Sequence, residues 1–77
     1  MIPTMISDEL RKRREDMGCT RRTLALRLSI TEATLARWEN GSVVHPNHRN
    51  AWMNAIDEFE DYPDTAAEYA EKAKGKA

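Results

Sequence analysis

Residues 31–41, with the sequence TEATLARWENG, place side chains suited to polar recognition on one side of a short helix. The spacing i, i+3, i+4, i+7 is typical of a stripe that packs against a core. That stripe consists of Thr31, Thr34, Leu35 and Trp38. The residues left on the opposite face are Glu32, Ala33, Ala36, Arg37 and Asn40. The pattern therefore predicts an outward surface that another molecule can contact.

Two adjacent arginines, Arg21 and Arg22, open the helix that precedes this one. Cations in the first turn of a helix oppose its dipole and cost roughly 0.3 kcal/mol or more each. A bound anion would reverse that sign, because exposed backbone N–H groups and two guanidinium groups make a good phosphate site. The alternative is that both arginines are simply solvated.

Residue combinations suited to catalysis or metal binding are sparse. His45 and His48 resemble a pair of metal ligands, but zinc would require two more, and the single cysteine, Cys19, does not complete a convincing set. The acids are scattered over helical faces, and neither a Ser/His/Asp or Cys/His arrangement nor a glycine-rich phosphate loop is evident. We therefore expect no metal, no cofactor and no enzymatic activity.

Helices must position these side chains, because the sequence has no alternating strand pattern and no internal repeat. The first helix is expected to start after Ser7 as its N-cap and to stop at Gly18. Thr20 and Thr31 are the expected N-caps of the second and third helices, and residues 40–41 close the third.

Two further helices are expected in the second half of the chain. The fourth runs from about Asn47 to about Asp61, and Pro63 ends it. Asp64 is the expected cap of a fifth helix, which should fray or need a partner, because its stripe is mostly alanine and buries little surface. The expected inward residues are Leu24, Ala25 and Leu28 in the second helix, Trp52, Ala55, Ile56 and Phe59 in the fourth, and Ala66, Tyr69, Ala70 and Ala73 in the fifth.

The length of 77 residues predicts one domain over residues 1–77, because so short a chain cannot divide its buried surface between two cores. The fold class is all-α, a small bundle of about five short helices. One cysteine allows no intramolecular disulfide, and no apolar run approaches the ~20 residues of a membrane helix. We therefore expect a cytoplasmic protein that does not enter a membrane.

Charge is distributed unevenly, although the net charge is only -1. Residues 1–50 contain nine Lys or Arg and six Asp or Glu, whereas residues 51–77 contain three Lys and seven acids. A basic half followed by an acidic half suggests that the first half meets an anion and the second stays away from it.

The segment GCTRRTLALRLSITEATLARWENG resembles the helix-turn-helix core of the Cro and lambda-repressor-like (XRE-type) group. The matching positions are Leu24, Ala25, Leu28, Ile30, Thr31, Leu35, Trp38, Glu39, Asn40 and Gly41. The resemblance covers about residues 10–41, with the helix-turn-helix at about 20–41, and extends loosely through the fourth helix. It implies a lambda-repressor-like DNA-binding domain whose third helix enters the major groove of double-stranded DNA.

Two positions depart from the pattern of that group. Arg21 stands where the group usually has a glutamine that touches DNA, so the fit to a phosphate survives but the amide contact does not. Ser29 stands where the turn usually has glycine, and positive φ at a residue other than glycine costs on the order of 1 kcal/mol. Either Ser29 bears that strain or the turn is shaped differently.

DNA as the expected partner gives the third helix specific roles. Arg37 is expected to make a bidentate contact to guanine O6 and N7, with a phosphate contact as the alternative. Glu32 either accepts a hydrogen bond from cytosine N4 or serves only as a first-turn acid. Ala33 either contacts a thymine methyl group or lets the helix approach the DNA closely.

The resemblance also assigns residues outside the base-reading face. Arg21 and Arg22 are the phosphate contacts expected at the start of the second helix, and the resemblance adds Asn40 and Ser42. The resemblance further implies an ion pair between Arg14 in the first helix and Glu39 in the third. Such a pair would fix how the two helices sit against each other.

The function expected from these features is that of a sequence-specific transcriptional regulator, a phage or mobile-element repressor that binds a palindromic operator as a homodimer. Its dimer contact is expected in residues 47–74, with Tyr62, Tyr69 and the alanine stripe as the surface. One alternative is an antitoxin-like regulator that also binds a partner protein through residues 51–77. Another is a scaffold whose helix-turn-helix serves protein contacts only.

Overall fold

The computed structural model describes residues 3–75, and side chains from Ser7 onward. Within that range the chain forms five α-helices: α1 (Pro3–Asp16), α2 (Arg21–Leu28), α3 (Glu32–Glu39), α4 (Pro46–Asp61) and α5 (Pro63–Gly75). The predicted all-α fold class is confirmed. None of these helices has both the length and the apolar character needed to cross a bilayer.

A cluster of buried apolar side chains forms the core where α1 to α4 meet. Its members are Leu10, Leu24, Ala25, Leu35, Trp38, Trp52, Ala55, Ile56 and Phe59. The predicted stripe of α4 is therefore buried as a whole, whereas Leu28 of α2 packs against the cluster only partly buried. Burying a side chain the size of leucine or phenylalanine contributes roughly 1.5–3 kcal/mol to the stability of the fold. This cluster therefore fixes the position of the α2–α3 pair.

The connection between α2 and α3 has the conformation of a tight helix-turn-helix. Ser29 adopts the left-handed conformation, with φ 59° and ψ 40°. Its neighbour Ile30 donates its backbone N–H to the Ala25 carbonyl at 3.0 Å. Serine thus carries the strain that glycine would avoid. The caps on either side are as predicted, because Thr20 and Thr31 each accept a backbone N–H through their hydroxyls at 3.1 Å.

Proline residues begin three of the helices, which corrects the predicted starts of α1 and α5 and agrees with the predicted start of α4 at about Asn47. The first residues of α1, α4 and α5 are Pro3, Pro46 and Pro63. Proline suits the first turn because its fixed φ is helical and its missing N–H would be unpaired there. Ser7 is consequently a buried residue inside α1 rather than its N-cap, and His45 caps α4. Asp64 lies in the first turn of α5 and does not precede it.

Helix α5 packs back onto α2 and α4. The rings of Tyr69 and Phe59 lie 5.9 Å apart, and Ala66 is partly buried against the core. Lys72 Nζ lies 4.9 Å from the centre of the Tyr69 ring. Tyr69 and Ala66 are therefore partly buried against the core of the chain, and the dimer surface that the sequence suggested at Tyr69 and the alanine stripe stays a prediction. Tyr62, by contrast, is exposed.

Candidate nucleic-acid interface

The outer face of α3 presents most of the residues assigned to it. Glu32, Ala33, Arg37 and Asn40 are exposed, and Ala36 is half-buried. On the inner side Leu35 and Trp38 are buried as predicted. Thr31 and Thr34 are not, since Thr31 is exposed and the two hydroxyls lie 2.9 Å apart at the start of the helix. The helical spacing therefore predicted the face correctly, but the cap removes two threonines from the buried stripe.

The end of α3 is fixed by aromatic packing and by a tight turn. The Trp38 ring stacks on His48 with centroids 5.6 Å apart and an angle of 23° between the planes. Gly41 has φ 98°, and the Ser42 N–H donates to the Arg37 carbonyl at 3.0 Å. Asn40 and Ser42 are both exposed. The turn therefore keeps them at the C-terminal end of α3.

Beneath that face, Arg14 and Glu39 form the expected ion pair. Arg14 Nε lies 2.7 Å from Glu39 Oε2, and Arg14 Nη2 lies 3.1 Å from Glu39 Oε1. Arg14 Nη1 also donates to the Cys19 carbonyl at 2.7 Å. The side chains are 7% and 0% exposed, respectively. This buried group of hydrogen bonds ties α1 to both α3 and the turn that leads into α2.

Arg21 extends the pair to the surface, which sequence reasoning missed. Its Nε donates to Glu39 Oε1 at 2.9 Å, although its side chain is 46% exposed. Glu39 therefore has two guanidinium partners, Arg14 and Arg21. The three side chains together carry one net positive charge, and Arg21 is the member that reaches solvent. The only signal in the sequence was the arginine that replaces the usual glutamine at this position. An arginine can hold a carboxylate and still present N–H donors outward.

The other arginines near the face differ in how far they are engaged. Arg22 Nε lies 3.9 Å from Glu32 Oε2, and both side chains are about half exposed, so solvent screens the pair. This contact joins the start of α2 to the start of α3. Arg37 is exposed and has no carboxylate within ion-pair distance in the part of the chain that the structure describes. Its guanidinium is therefore available to another molecule.

Carboxylates of the acidic half are paired with arginines of the basic half. Arg13 donates to Asp57 at 2.6 Å and to Glu60, and Arg27 donates to Glu58 at 2.6 Å. The Arg13 hydrogen bonds hold the pKa of the Glu60 carboxyl below its ordinary value. These pairs neutralise acids of α4, and Arg27 is the residue of α2 and α3 whose charge they use.

His45 and His48 both serve the local structure. His45 Nδ1 accepts the Asn47 N–H at 3.2 Å, and the two imidazole rings lie 5.9 Å apart. Among residues 3–75, no three His, Cys, Asp or Glu side chains come together as a metal site would need. Cys19 is half-buried, and burial raises the pKa of its thiol. A thiol held in its protonated form is a poor nucleophile.

Comparison with known proteins identifies the central part of the chain. A family model described as helix-turn-helix matches residues 10–52. That segment begins in α1, includes α2 and α3, and ends within α4. It therefore contains both the Arg14–Glu39 pair and the exposed face of α3. No curated protein and no solved structure gave a significant match.

Proposed function

The chain belongs to the Cro-type (XRE-type) helix-turn-helix family of DNA-binding regulators, and we propose that it represses transcription by binding a palindromic operator as a homodimer. The observation that carries the proposal is the exposed face of α3, which presents Arg37 without a carboxylate partner in the described chain. The resemblance to Cro and lambda repressor supports a phage or mobile-element origin. A repressor of a phage or mobile element must reach the DNA, so we place the protein in the cytoplasm of the cell that carries that element.

Base reading is assigned to Arg37, Glu32 and Ala33. Arg37 has the charge and the planar donor geometry for a bidentate contact to guanine O6 and N7. The weak contact between Arg22 and Glu32 leaves that carboxylate exposed, so it can accept from cytosine N4 when α3 lies in the major groove. Ala33 is small enough to lie against a thymine methyl group.

Phosphate binding is assigned to both ends of the helix pair. Arg21 and Arg22 lie at the start of α2, where backbone N–H groups add to their charge. Asn40 and Ser42 follow Glu39 at the C-terminal end of α3, and Glu39 accepts a hydrogen bond from Arg21. Because Glu39 holds the Nε of Arg21, the guanidinium is oriented before DNA arrives, which lowers the entropy lost on binding.

The dimer is proposed because one recognition helix covers only a few base pairs, and two half-sites about 34 Å apart are the usual solution. Exposed apolar side chains suited to the contact are Val43, Met53 and Tyr62. We assign the contact to α4 and α5, as the sequence predicts: Met53 and Tyr62 lie on α4 and at its end, and Tyr69 and Ala66 are only partly buried against the core.

The test is a selection of bound duplexes from a random DNA pool, followed by sedimentation on the selected sequence. The proposal expects an inverted repeat with half-site centres about 10 base pairs apart and two chains per duplex. A single half-site that binds one chain would remove the dimer. Absence of any salt-sensitive binding would favour a helix-turn-helix that serves protein contacts only.

A further inference from the structure

Asn40 and Gly41 form the one Asn–Gly pair of the chain, and they lie at the end of α3. Asparagine is a chemically labile residue type in proteins. The backbone nitrogen of the next residue can attack its side-chain amide carbon, and a side chain on that next residue hinders the attack. Glycine has no side chain, so no other asparagine of this chain has so unhindered a nitrogen beside it.

The turn that ends α3 requires this glycine. Gly41 has a φ of 98°, which residues with a side chain rarely adopt. Its N–H donates to the Trp38 carbonyl at 3.1 Å. The Ser42 N–H donates to the Arg37 carbonyl at 3.0 Å, and the two bonds together form a Schellman motif. The residue that allows α3 to end here is therefore also the residue that makes Asn40 reactive.

The same turn protects Asn40 while it is closed. The Gly41 nitrogen must lose its proton to attack, and the hydrogen bond to the Trp38 carbonyl holds that proton in place. The backbone of Asn40 has φ −86° and ψ 5°. At this ψ the Gly41 nitrogen is nearly eclipsed with the Asn40 nitrogen, whereas closure of a ring with the side chain requires it to be eclipsed with Cβ. The turn must therefore open before the reaction, and helix ends open more readily than cores.

We propose that Asn40 is a site of spontaneous deamidation, and that opening of the turn at residues 40–42 controls its rate. In the open turn the deprotonated Gly41 nitrogen forms a bond to Asn40 Cγ, the bond from Cγ to the amide nitrogen breaks, and ammonia leaves. Water then opens the cyclic imide. Hydrolysis at Cγ gives aspartate, and hydrolysis at the backbone carbonyl carbon gives isoaspartate. One amide becomes one carboxylic acid, with one water consumed and no oxidation or reduction.

Two asparagines of α4 serve as internal controls. Asn40, Asn50 and Asn54 are all exposed, so access to water does not distinguish them. Asn50 and Asn54 lie within α4 and are each followed by an alanine. The alanine side chain hinders attack by its own nitrogen, and the helical hydrogen bonds on both sides hold the backbone closed.

Deamidation of Asn40 also has a consequence for DNA binding, which rests on the proposed function. Asn40 is assigned to a phosphate contact, and either product places a carboxylate there. That carboxylate repels the phosphate, and it lies at the C-terminal end of a helix, where negative charge is unfavourable. Phosphate contacts carry no sequence information, so the loss of affinity is the same for every duplex.

The experiment incubates the full chain without DNA in mildly alkaline buffer and follows each asparagine by peptide mass spectrometry. A parallel incubation in urea gives the rates in the unfolded chain. Asn40→Gln places the amide one carbon further from the Gly41 nitrogen and should block the reaction at this position. Ile56→Val weakens the core, where Ile56 is fully buried, without changing a residue of the turn.

In the folded chain Asn40 should convert at least about tenfold faster than Asn50 or Asn54, a difference of about 1.4 kcal/mol in activation free energy. In urea Asn40 should convert faster still, because the closed turn no longer protects it. Ile56→Val should leave the rate at Asn40 unchanged, since the turn opens without unfolding of the chain.

Three results would overturn the proposal. The first is conversion of Asn40 no faster than that of Asn54 in the folded chain. The second is an equal rate at Asn40 in the folded chain and in urea, since the closed turn would then give no protection. The third is a rate at Asn40 that rises with Ile56→Val in proportion to the lost stability, because the reaction would then require global unfolding.

The consequence for DNA is measured separately with Asn40→Asp, on the duplex found by selection and on random duplex. Asn54→Asp is the control, because it makes the same charge change within α4. Asn40→Asp should weaken binding to both duplexes alike and lower the salt slope by about one ion per chain, and Asn54→Asp should do neither. Equal effects of the two variants would remove this consequence. Conversion of Asn40 as expected, without any DNA binding by the wild-type chain, would contradict the proposed function and leave the deamidation site standing.

Discussion

Glu39→Ala should destabilise the fold strongly, because it removes the carboxylate that hydrogen-bonds to a buried guanidinium and leaves only the exposed Glu15 carboxylate, at 3.7 Å. The Arg14 side chain is only 7% exposed and bonds to both carboxylate oxygens of Glu39. Removing one partner of a buried ion pair costs roughly 3–5 kcal/mol. Arg14 keeps its hydrogen bond to the Cys19 carbonyl, and Arg21 can turn to solvent, so we expect about 3 kcal/mol.

That loss is large enough to measure in a chain of this length. One kcal/mol shifts the midpoint of thermal unfolding by roughly 4–8 °C for a domain of this size. Glu39→Ala should therefore lower the midpoint by about 12–24 °C in a melt followed by circular dichroism. If total stability lies near the lower end of the usual range for small domains, the variant will be partly unfolded at room temperature.

The neighbouring arginine provides the control. Arg13 also bonds to carboxylates, those of Asp57 and Glu60, but these hydrogen bonds lie at the surface. Arg13→Ala should cost about 1 kcal/mol or less, because exposed ion pairs are screened. The double variant Arg14→Met, Glu39→Leu should recover most of the lost stability. A Glu39→Ala midpoint equal to that of Arg13→Ala would refute the buried-pair argument.

Three other predictions test single features of the fold. Ser29→Gly should raise the free energy of unfolding in urea by about 0.5–1 kcal/mol, because glycine adopts a φ of 59° without strain; no gain would mean the turn is not strained. Arg13 lowers the folded-state pKa of Glu60, so its contribution to stability is present above the unfolded pKa of about 4.3 and is lost as the pH falls through the folded value. The stability difference between wild type and Glu60→Gln should therefore shrink below about pH 4, and a constant difference would contradict this. Burial raises the pKa of the Cys19 thiol, so alkylation at about pH 8 should be slower in the folded chain than in urea, and equal rates would show the thiol to be accessible.

Local and periodic features of the structure followed from the sequence. Thr20 and Thr31 were predicted as N-caps correctly because capping is local: each hydroxyl accepts the backbone N–H of the residue three positions later. The stripe from Trp52 to Phe59 is buried because its spacing alone defines one face of a helix. The Arg14–Glu39 pair joins residues 25 positions apart, so spacing could not predict it, and only the family resemblance did.

Features that depend on how helices approach each other were missed. The link from Arg21 to Glu39 requires the start of α2 to lie beside the end of α3, which no local pattern encodes. The groove between α5 and the α1–α2 turn depends on how far apart these two parts of the chain lie. The start of α1 was missed because serine is a residue type favoured at N-caps, whereas Ser7 lies inside the helix at a position that packs inward.

The most direct test of DNA recognition compares Arg37→Ala with Arg21→Ala on the selected duplex and on random duplex over a series of salt concentrations. Arg37→Ala should lose about 1–3 kcal/mol on the selected duplex and much less on random DNA, with the loss at one guanine. Arg21→Ala should weaken both alike and lower the salt slope by about one ion per chain. Equal losses for Arg37→Ala on both duplexes would contradict the account, since Arg37 would then contact a phosphate and not a base.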